Sequence, residues 1–165
     1  MLTPSEMPLL KEHLLRLDPV SQRQRFNGAI SEGFVEHYNT KYITDDTVVI
    51  GYIVDGEMRG AAELHPPNEQ GSNPEIAFSV EKMFRSHGVG SELFERVIHE
   101  ARKKGYNSVL MTTNHNNERM KALARKFGVR MEFRKGESVG ILKLEQQQVP
   151  ARGKHLNEAR SATVA

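Results

Sequence analysis

The stretch Arg85-Ser86-His87-Gly88-Val89-Gly90 places two glycines directly before a long amphipathic helical pattern. Glycine lets the backbone approach a ligand closely, and the first N–H groups of a helix have no partner within the helix. A helix start of this kind attracts anions, above all phosphates. The stretch is therefore predicted to bind a phosphate group through its backbone.

Three phosphate-binding patterns compete for this stretch. The dinucleotide fingerprint Gly-x-Gly-x-x-Gly fails because Leu93 occupies the third glycine position. A P-loop fails because Gly90 is followed by Ser91 and Glu92 instead of Lys and Ser or Thr. The remaining pattern, Arg/Gln-x-x-Gly-x-Gly between a strand and a helix, fits. From the residues alone, a plain strand-to-helix turn with a glycine cap stays an alternative.

The apolar periodicity predicts the elements that position this stretch. Helices are predicted over residues 4–16, after Asp18-Pro19 and from Ser31, followed by a β-hairpin around Asp55-Gly56. A strand over 75–80, a helix from Val89, a strand over 108–113, a second helix over 116–128 and two further strands follow. This order indicates a single α/β or α+β domain around one mixed sheet. Residues 146–165 have no apolar periodicity and are predicted to be disordered.

Composition excludes several classes of protein. The chain of 165 residues has no cysteine, which excludes a disulfide scaffold, a thiolate zinc site and a cysteine nucleophile. The seven histidines show no metal-ligand spacing, so no metal is expected. Because there is no signal-peptide pattern and no apolar run long enough to span a membrane, a cytoplasmic location is expected. The basic residues are not interleaved with aromatic residues, so no nucleic-acid partner is expected.

Residues 75–106 resemble the acyl-CoA-binding core of the GNAT N-acetyltransferase superfamily, in the segment EIAFSVEKMFRSHGVGSELFERVIHEARKKGY. The order of the predicted elements agrees with that family over roughly residues 47–145. The resemblance implies a mixed, mostly antiparallel central sheet flanked by helices, in a single acyl-CoA-binding domain over residues 1–145. It also implies that the glycine loop holds the pyrophosphate of acetyl-CoA, and that the strand before the loop splays from its neighbour.

Three shorter segments resemble the protein-lysine acetyltransferase branch of this superfamily: PEIAFSV, NERMKALARKFG and LDPVSQRQRF, which ends in Arg-Phe. The expected function is transfer of the acetyl group of acetyl-CoA to a primary amine, with protein lysine favoured. The alternatives are acetylation of a small amine such as a polyamine or an antibiotic, and a non-catalytic acyl-CoA-binding regulatory module. Assembly into a homodimer also stays open.

The resemblance implies roles for individual residues. Glu75 matches the glutamate that serves as general base, although from the residues alone an ordinary solvated glutamate is the alternative, and Glu63 is the reserve base. The N–H of Val80 is expected to bind the thioester oxygen, and Asn117 to contact the coenzyme, to cap a helix, or to do both. The expected coenzyme-binding residues are Phe78, Val80, Arg85, Ser86, His87, Gly88, Val89, Gly90, Ser91 and Asn117.

Two features depart from the family pattern. Ala124 stands where many members have a tyrosine that protonates the leaving thiolate. A thiol with a pKa of about 8.5 leaves without much help, so the departure is compatible with catalysis. The family usually opens with a strand, whereas this chain opens with a predicted helix, so the first strand is expected to be absent or displaced.

Overall fold

The computed structural model describes residues 1–31, 33–68, 71 and 73–144. Over these residues the chain forms two short 3₁₀ turns, five helices and six strands. The 3₁₀ turns are Pro4–Glu6 and Lys82–Phe84, and the helices are α1 (Met7–Arg16), α2 (Pro19–Arg25), α3 (Phe34–Tyr42), α4 (Val89–Lys103) and α5 (Glu118–Lys126). The strands are β1 (Val48–Val54), β2 (Glu57–His65), β3 (Glu75–Val80), β4 (Ser108–Asn114), β5 (Met131–Arg134) and β6 (Glu137–Lys143).

The strands form one mixed sheet in the order β1-β2-β3-β4-β6-β5. Every neighbouring pair is antiparallel except β3 and β4, which confirms the predicted mixed, mostly antiparallel sheet. The β1–β2 hairpin turns at Asp55 and Gly56, whose φ angles are 52° and 80°. A two-residue hairpin turn of this type requires positive φ at both positions, which is why Asp-Gly predicts it well.

The parallel strands β3 and β4 diverge at the centre of the sheet. Glu75 pairs with Leu110, and the Leu110 N–H donates to the Pro74 carbonyl at 2.8 Å, but no later residue of β3 pairs with β4. Along the rest of its length β3 pairs only with β2, up to Val80 opposite Gly60. The predicted splay of this strand is therefore confirmed, and it leaves a gap in the middle of the sheet.

Helices cover both faces of the sheet. On one face, α4 buries the apolar stripe that its sequence predicts, which consists of Val89, Leu93, Phe94, Val97, Ile98 and Ala101. On the other face, α1 and α3 pack on β1 and β2 and form a second apolar cluster, which includes Leu10, Leu14, Val35, Tyr38, Val49, Met58 and Ala61. The gap between β3 and β4 therefore connects two separately packed layers.

Two predicted helix starts need correction. The first helix is a 3₁₀ turn over Pro4–Glu6 and becomes an α-helix only at Met7, with the Thr3 N–H donating to Glu6 Oε2 at 2.8 Å. The third helix starts at Phe34 and not at Ser31, because Gly33 precedes it in the left-handed conformation with φ 77°. A residue with positive φ cannot be part of a right-handed helix.

The described part of the chain has no strand before β1, as the sequence suggested. A single backbone hydrogen bond remains at that edge, from the N–H of Leu2 to the carbonyl of Val49 at 2.8 Å. Leu2 is buried against this edge strand, so the first residues cover β1 without extending the sheet. The segment 146–165, predicted to be disordered, lies outside the described residues.

Candidate active site

A cavity of about 340 Å³ lies at the gap between β3 and β4. Its wall comes from the residue after α1, from α2, the end of β3, the glycine loop and α5. The lining residues are Leu17, Ser21, Gln24, Arg25, Phe78, Ser79, Val80, Arg85, Ser86, Gly88, Gly90, Ser91, Asn117, Arg119, Met120, Ala122 and Leu123. Residues from both faces of the sheet contribute, so the cavity passes through the gap.

The charged groups of this lining are all cationic. Arg25 lies at the α2 end, and Arg85 and Arg119 lie near the glycine loop, whereas no Asp or Glu belongs to the described lining. Arg85 and Arg119 share this lining, and burial together with the charge of Arg119 lowers the pKa of the Arg85 guanidinium. A site with these charges attracts an anionic ligand.

The glycine loop has the geometry that its sequence predicts. Gly88 is the N-cap of α4 in the left-handed conformation, with φ 84°, and Ser86 also has a positive φ of 65°. The N–H groups of Ser91 and Glu92 bond to the Gly88 carbonyl, whereas the preceding N–H groups of a helix start have no partner within the helix. Gly88 and Gly90 line the cavity, so the helix start faces it.

The end of β3 presents its backbone to the same cavity. The N–H of Glu81 bonds to the Arg59 carbonyl of β2 at 2.9 Å, and successive residues of a strand alternate the side to which their N–H and C=O groups point. The peptide groups of Val80 therefore point away from β2 and into the gap. Arg85 confirms this direction, because its Nε donates to the Val80 carbonyl at 2.8 Å.

Arg85 connects β3 to α2. Besides the Val80 carbonyl, its Nη2 donates to Ser21 Oγ at 2.6 Å. Ser21 in turn is held by Asp18, whose carboxylate caps α2 through the N–H groups of Val20 and Ser21, both at 3.1 Å. The start of α2 thus positions the guanidinium at the wall of the cavity.

Helix α5 contributes Asn117 as its N-cap. The Asn117 side chain accepts from the Met120 N–H at 3.2 Å and donates to Thr113 Oγ1 at 3.0 Å, so the predicted capping role is confirmed. The same residue lines the cavity. Ala124, one turn further into the same helix than Met120, is fully buried in the core and does not belong to the lining.

A buried polar network lies on the α1–α3 face of the sheet, beside the cavity. Its centre is Glu63 of β2, which is fully buried. Glu63 Oε1 accepts from Arg25 Nη2 at 2.7 Å, and Oε2 lies 2.8 Å from Tyr38 Oη and 3.0 Å from His65 Nε2. Arg25 Nη2 also donates to Tyr38 Oη at 2.8 Å. We call Arg25, Tyr38, Glu63 and His65 the Glu63 network.

Electrostatics fix the charge of this network. Burial alone would raise the pKa of the Glu63 carboxyl, but the charge of Arg25 and the hydrogen bond from His65 outweigh burial and hold that pKa well below its usual range. Burial and the neighbouring Glu63 carboxylate raise the pKa of the Tyr38 hydroxyl. Glu63 is therefore a permanent carboxylate and Tyr38 a permanent hydrogen-bond donor at neutral pH. A carboxylate of such low basicity is a poor proton acceptor, which weakens the reserve role for Glu63.

Glu75, the expected base, lies next to this network and outside the cavity lining. It is half-buried and stands directly opposite His65 across the β2–β3 pair. Directly opposed residues of an antiparallel pair project to the same face, with Cβ atoms about 4.5–5.5 Å apart. Glu75 therefore shares a face with Glu63 and His65, whereas Phe78 and Val80 project to the α4 face.

Residues 15–129 match the model of the Acetyltransferase (GNAT) family. The chain belongs to this family. As a GNAT acetyltransferase, it is an acyltransferase that uses acetyl-CoA.

Solved structures of other GNAT acetyltransferases share the fold. The GNAT domain of S. lividans PAT has 19% identity and a TM-score of 0.73, with 87% of this chain and 88% of that chain covered. PaiA N-acetyltransferase from Thermoplasma acidophilum, solved in complex with coenzyme A, has 17% identity and a TM-score of 0.63, with 86% and 95% covered. Ribosomal-protein-alanine N-acetyltransferase from Brucella melitensis has 18% identity and a TM-score of 0.61, with 87% and 97% covered. At these identities the similarity shows the fold.

Most of the residues expected to bind the coenzyme of this GNAT acetyltransferase lie together. Eight of them line the cavity: Phe78, Val80, Arg85, Ser86, Gly88, Gly90, Ser91 and Asn117. The other two do not belong to the lining, since His87 is exposed on the loop and the side chain of Val89 is buried in the core. Only the backbone of Val89 is free to take part at the helix start.

The Glu63 network was not predicted from the sequence. Arg25 is the residue before the last in the segment LDPVSQRQRF, which carried only a resemblance, and neither Tyr38 nor His65 had an expected role. The period-2 alternation of β2 could have placed Glu63 and His65 on one face, but no local pattern connects them to α2 and α3. In the described part of the chain, no group of three or more acidic or histidine side chains could hold a metal ion, and no helix has the length and apolarity needed to cross a membrane.

Proposed function

We propose that this GNAT acetyltransferase moves the acetyl group of acetyl-CoA to a primary amine, and that protein lysine is its favoured acceptor. The observation that carries the proposal is the cavity itself, which is cationic, opens at a glycine-rich helix start and passes through the gap in the sheet. Such a cavity can admit a phosphate-bearing donor from one face and an acceptor from the other.

The coenzyme residues follow from this arrangement. The backbone of Ser86, Gly88 and Gly90 would hold the pyrophosphate, with Arg85 and Arg119 supplying positive charge. Coenzyme A carries several negative charges on its phosphates, and a cavity whose described lining contains no carboxylate would not repel them. The pantetheine arm would run along β3, whose unpaired peptide groups resemble the edge of a sheet.

The Val80 N–H would donate to the thioester oxygen. This N–H points into the gap, and a backbone donor aimed at a carbonyl oxygen stabilises the negative charge that develops there during attack. Besides its pairing with β2, the end of β3 is held by two contacts: Ser79 Oγ lies 2.8 Å from His13 Nε2 of α1, and the Glu81 N–H donates to the Arg59 carbonyl of β2. A fixed donor does not have to reorganise when the charge develops.

Glu75 would remove a proton from the acceptor amine. It lies five residues before Val80, about 16 Å along an extended strand, so the proton would pass through a chain of water molecules. Ala124 provides no acid for the thiolate, and the described lining contains no tyrosine, histidine or carboxylic acid that could replace one. The thiolate would therefore leave unassisted and take its proton from solvent.

The charges of the lining favour protein lysine over a small polyamine. A polyamine or an aminoglycoside carries several positive charges, and Arg85 and Arg119 would repel it from a lining that contains no described carboxylate. A protein acceptor needs to present one lysine side chain, while the rest of its surface stays outside. The resemblance of three segments to the protein-lysine branch agrees with this preference.

The test is a thiol-release assay with acetyl-CoA against folded proteins, lysine peptides, polyamines and aminoglycosides. Acetylated lysine would be located by mass spectrometry. We expect proteins or lysine peptides to give the highest kcat/KM. A clear preference for a polyamine or an aminoglycoside would contradict the proposed acceptor while leaving the reaction type in place.

Glu75→Gln tests the expected base. We expect a loss of about 10²–10⁴-fold in kcat at pH 7, because the variant keeps the shape of the side chain but removes the proton acceptor. Affinity for acetyl-CoA, measured by calorimetry, should stay unchanged because Glu75 lies outside the cavity lining. Glu57→Gln, at an exposed position of β2, is a matched control. Full activity of Glu75→Gln with a verified acceptor would exclude Glu75 as the base.

A further inference from the structure

We propose that His65 is a second proton acceptor in the transfer reaction, held in position by Glu63, and that it passes the released proton from Glu75 to solvent. This inference rests on the proposed function, because it presupposes transfer to an amine. It assigns a purpose to the Glu63 network, which lies beside the cavity and which the proposed mechanism does not use.

The Glu63 carboxylate determines which nitrogen of His65 carries the hydrogen. A carboxylate only accepts hydrogen bonds, so His65 Nε2, 3.0 Å from Glu63 Oε2, must donate. In the neutral imidazole the lone pair then lies on Nδ1, which forms no hydrogen bond within the described part of the chain. Imidazole is the general base most often used by enzymes at neutral pH.

The rest of the network keeps the Glu63 carboxylate in place. Arg25, with a side chain that is 7% exposed, occupies Oε1, and Tyr38 donates to Oε2 at 2.8 Å. Hydrogen bonds from α2 and α3 therefore hold both Glu63 oxygens without any contribution from His65. Glu63 acts as a positioning residue that orients the imidazole, in the way that an acidic group orients the histidine of a hydrolase.

His65 joins the buried network to the expected base and to solvent. Its side chain is 21% exposed, whereas that of Glu63 is 1% exposed. It stands opposite Glu75 in the β2–β3 register, so the carboxylate and the imidazole project side by side from one face. The groups that face His65 are Glu63 on its own strand, Glu75 of β3, Tyr38 of α3 and, through Glu63, Arg25 of α2.

The proton balance of the reaction requires such an exit. An ammonium acceptor loses two protons as its nitrogen forms the bond to the carbonyl carbon and the carbon–sulfur bond breaks, with the electron pair moving to sulfur. One proton equivalent ends on the coenzyme thiol, which takes it from solvent here, so both amine protons must leave the site in each turnover and the net release is one proton. Glu75 would take each proton from the amine through water, and His65 Nδ1 would accept it from Glu75 and release it to solvent before the next transfer.

Two variants of His65 separate this role from a structural one. His65→Gln keeps a side-chain N–H that can donate to Glu63 but has no proton acceptor of comparable basicity. His65→Ala leaves space that added imidazole can fill. His99→Gln, on the exposed face of α4, is the matched control. Circular dichroism and acetyl-CoA calorimetry would show that each variant is folded and binds the coenzyme.

The assay is the pH dependence of kcat between about pH 6 and pH 9, with the best acceptor of the wild type. We expect both His65 variants to lose about 10²-fold in kcat at pH 7 with an unchanged KM for acetyl-CoA, in line with general acid–base groups. The loss should shrink as the pH rises, since more of the amine is already free. Imidazole in the buffer should restore His65→Ala and leave His65→Gln unchanged, and His99→Gln should behave as the wild type.

The inference fails if folded His65→Gln keeps the kcat and the pH profile of the wild type, or if imidazole does not restore His65→Ala. The His65 relay and the proposed acetyl transfer would be contradicted by different results. An impaired Glu75→Gln beside normal His65 variants would remove only the relay and leave the proposed function standing. A wild type that transfers acetyl to no protein, peptide or small amine would overturn both.

Discussion

Gly90 offers the sharpest probe of coenzyme binding, because a side chain there enters the cavity without disturbing the fold. A Cβ added at Gly90 would lie 3.6 Å from Leu123 Cδ2, which is an ordinary van der Waals contact. Gly90 is the second residue of α4 and does not have a positive φ, unlike Gly88 at φ 84°. A glutamate in the first turn also interacts favourably with the helix dipole, so the folded state of Gly90→Glu should be as stable as that of the wild type.

The expected loss of affinity follows from Coulomb's law. With the new carboxylate about 6 Å from each pyrophosphate charge and an effective dielectric constant of about 40, each repulsion costs about 1.4 kcal/mol. Two such charges give about 3 kcal/mol, which is about a 100-fold rise in the Kd for acetyl-CoA. Arg85 and Arg119 lie on the same wall and would offset part of this repulsion.

Calorimetry with acetyl-CoA on Gly90→Ala, Gly90→Gln and Gly90→Glu separates size from charge. We expect the alanine variant to bind nearly as the wild type, the glutamine variant to bind more weakly and the glutamate variant to bind most weakly. The difference between glutamine and glutamate should shrink in 1 M salt, where the Debye length falls to about 3 Å. Equal affinities for these two folded variants at low salt would show that the pyrophosphate does not lie at this loop.

Two further changes test the elements around the site. Glu63→Gln should destabilise the fold by about 3–5 kcal/mol, because it leaves Arg25 buried without its partner. In the wild type the stabilisation from the lowered pKa of the Glu63 carboxyl is fully present above its unfolded value of 4.5 and is lost as the pH falls through the folded value. Urea titrations between pH 7 and pH 3 should therefore show a shallower acid decline for Glu63→Gln, and an identical slope would contradict this account. Asp18→Ala removes the N-cap of α2 and should lower the free energy of unfolding by about 1 kcal/mol in the same titrations, whereas an unchanged stability would mean that this cap contributes nothing.

Local signals were enough to predict most of the fold. Asp55-Gly56 identifies the hairpin because few residue pairs accept two positive φ angles. The glycines at 88 and 90 identify the start of α4, because its stripe of apolar residues begins at once. The strand before them ends at Val80, where the sequence placed it. Each of these features depends on residues that are close together in the sequence, so it can be recognised from the sequence alone.

The Glu63 network could not be predicted in the same way. Its members come from α2, α3 and β2, and Arg25 and Glu63 are 38 positions apart in the sequence. The periodicity of apolar residues does not indicate which helix packs on which strand. In addition, a glutamate in a strand is more often exposed than fully buried. Periodicity also does not mark the start of α3, which begins at Phe34 because Gly33 is in the left-handed conformation.

The Arg25–Glu63 pair contributes more to geometry than to net stability. Removing both charges from water costs several kcal/mol for each ion, and apolar residues of similar volume often stabilise a fold as well as a buried ion pair does. An apolar pair, however, could not present a carboxylate to His65 or hold a cation at the α2 end of the cavity. Arg25 lines the cavity and its Nη2 donates to Glu63, so the pair connects the wall of the acyl-donor site to the face that carries Glu75. A change at Arg25 should therefore affect coenzyme binding and proton transfer together, although the residue is not itself a proton acceptor.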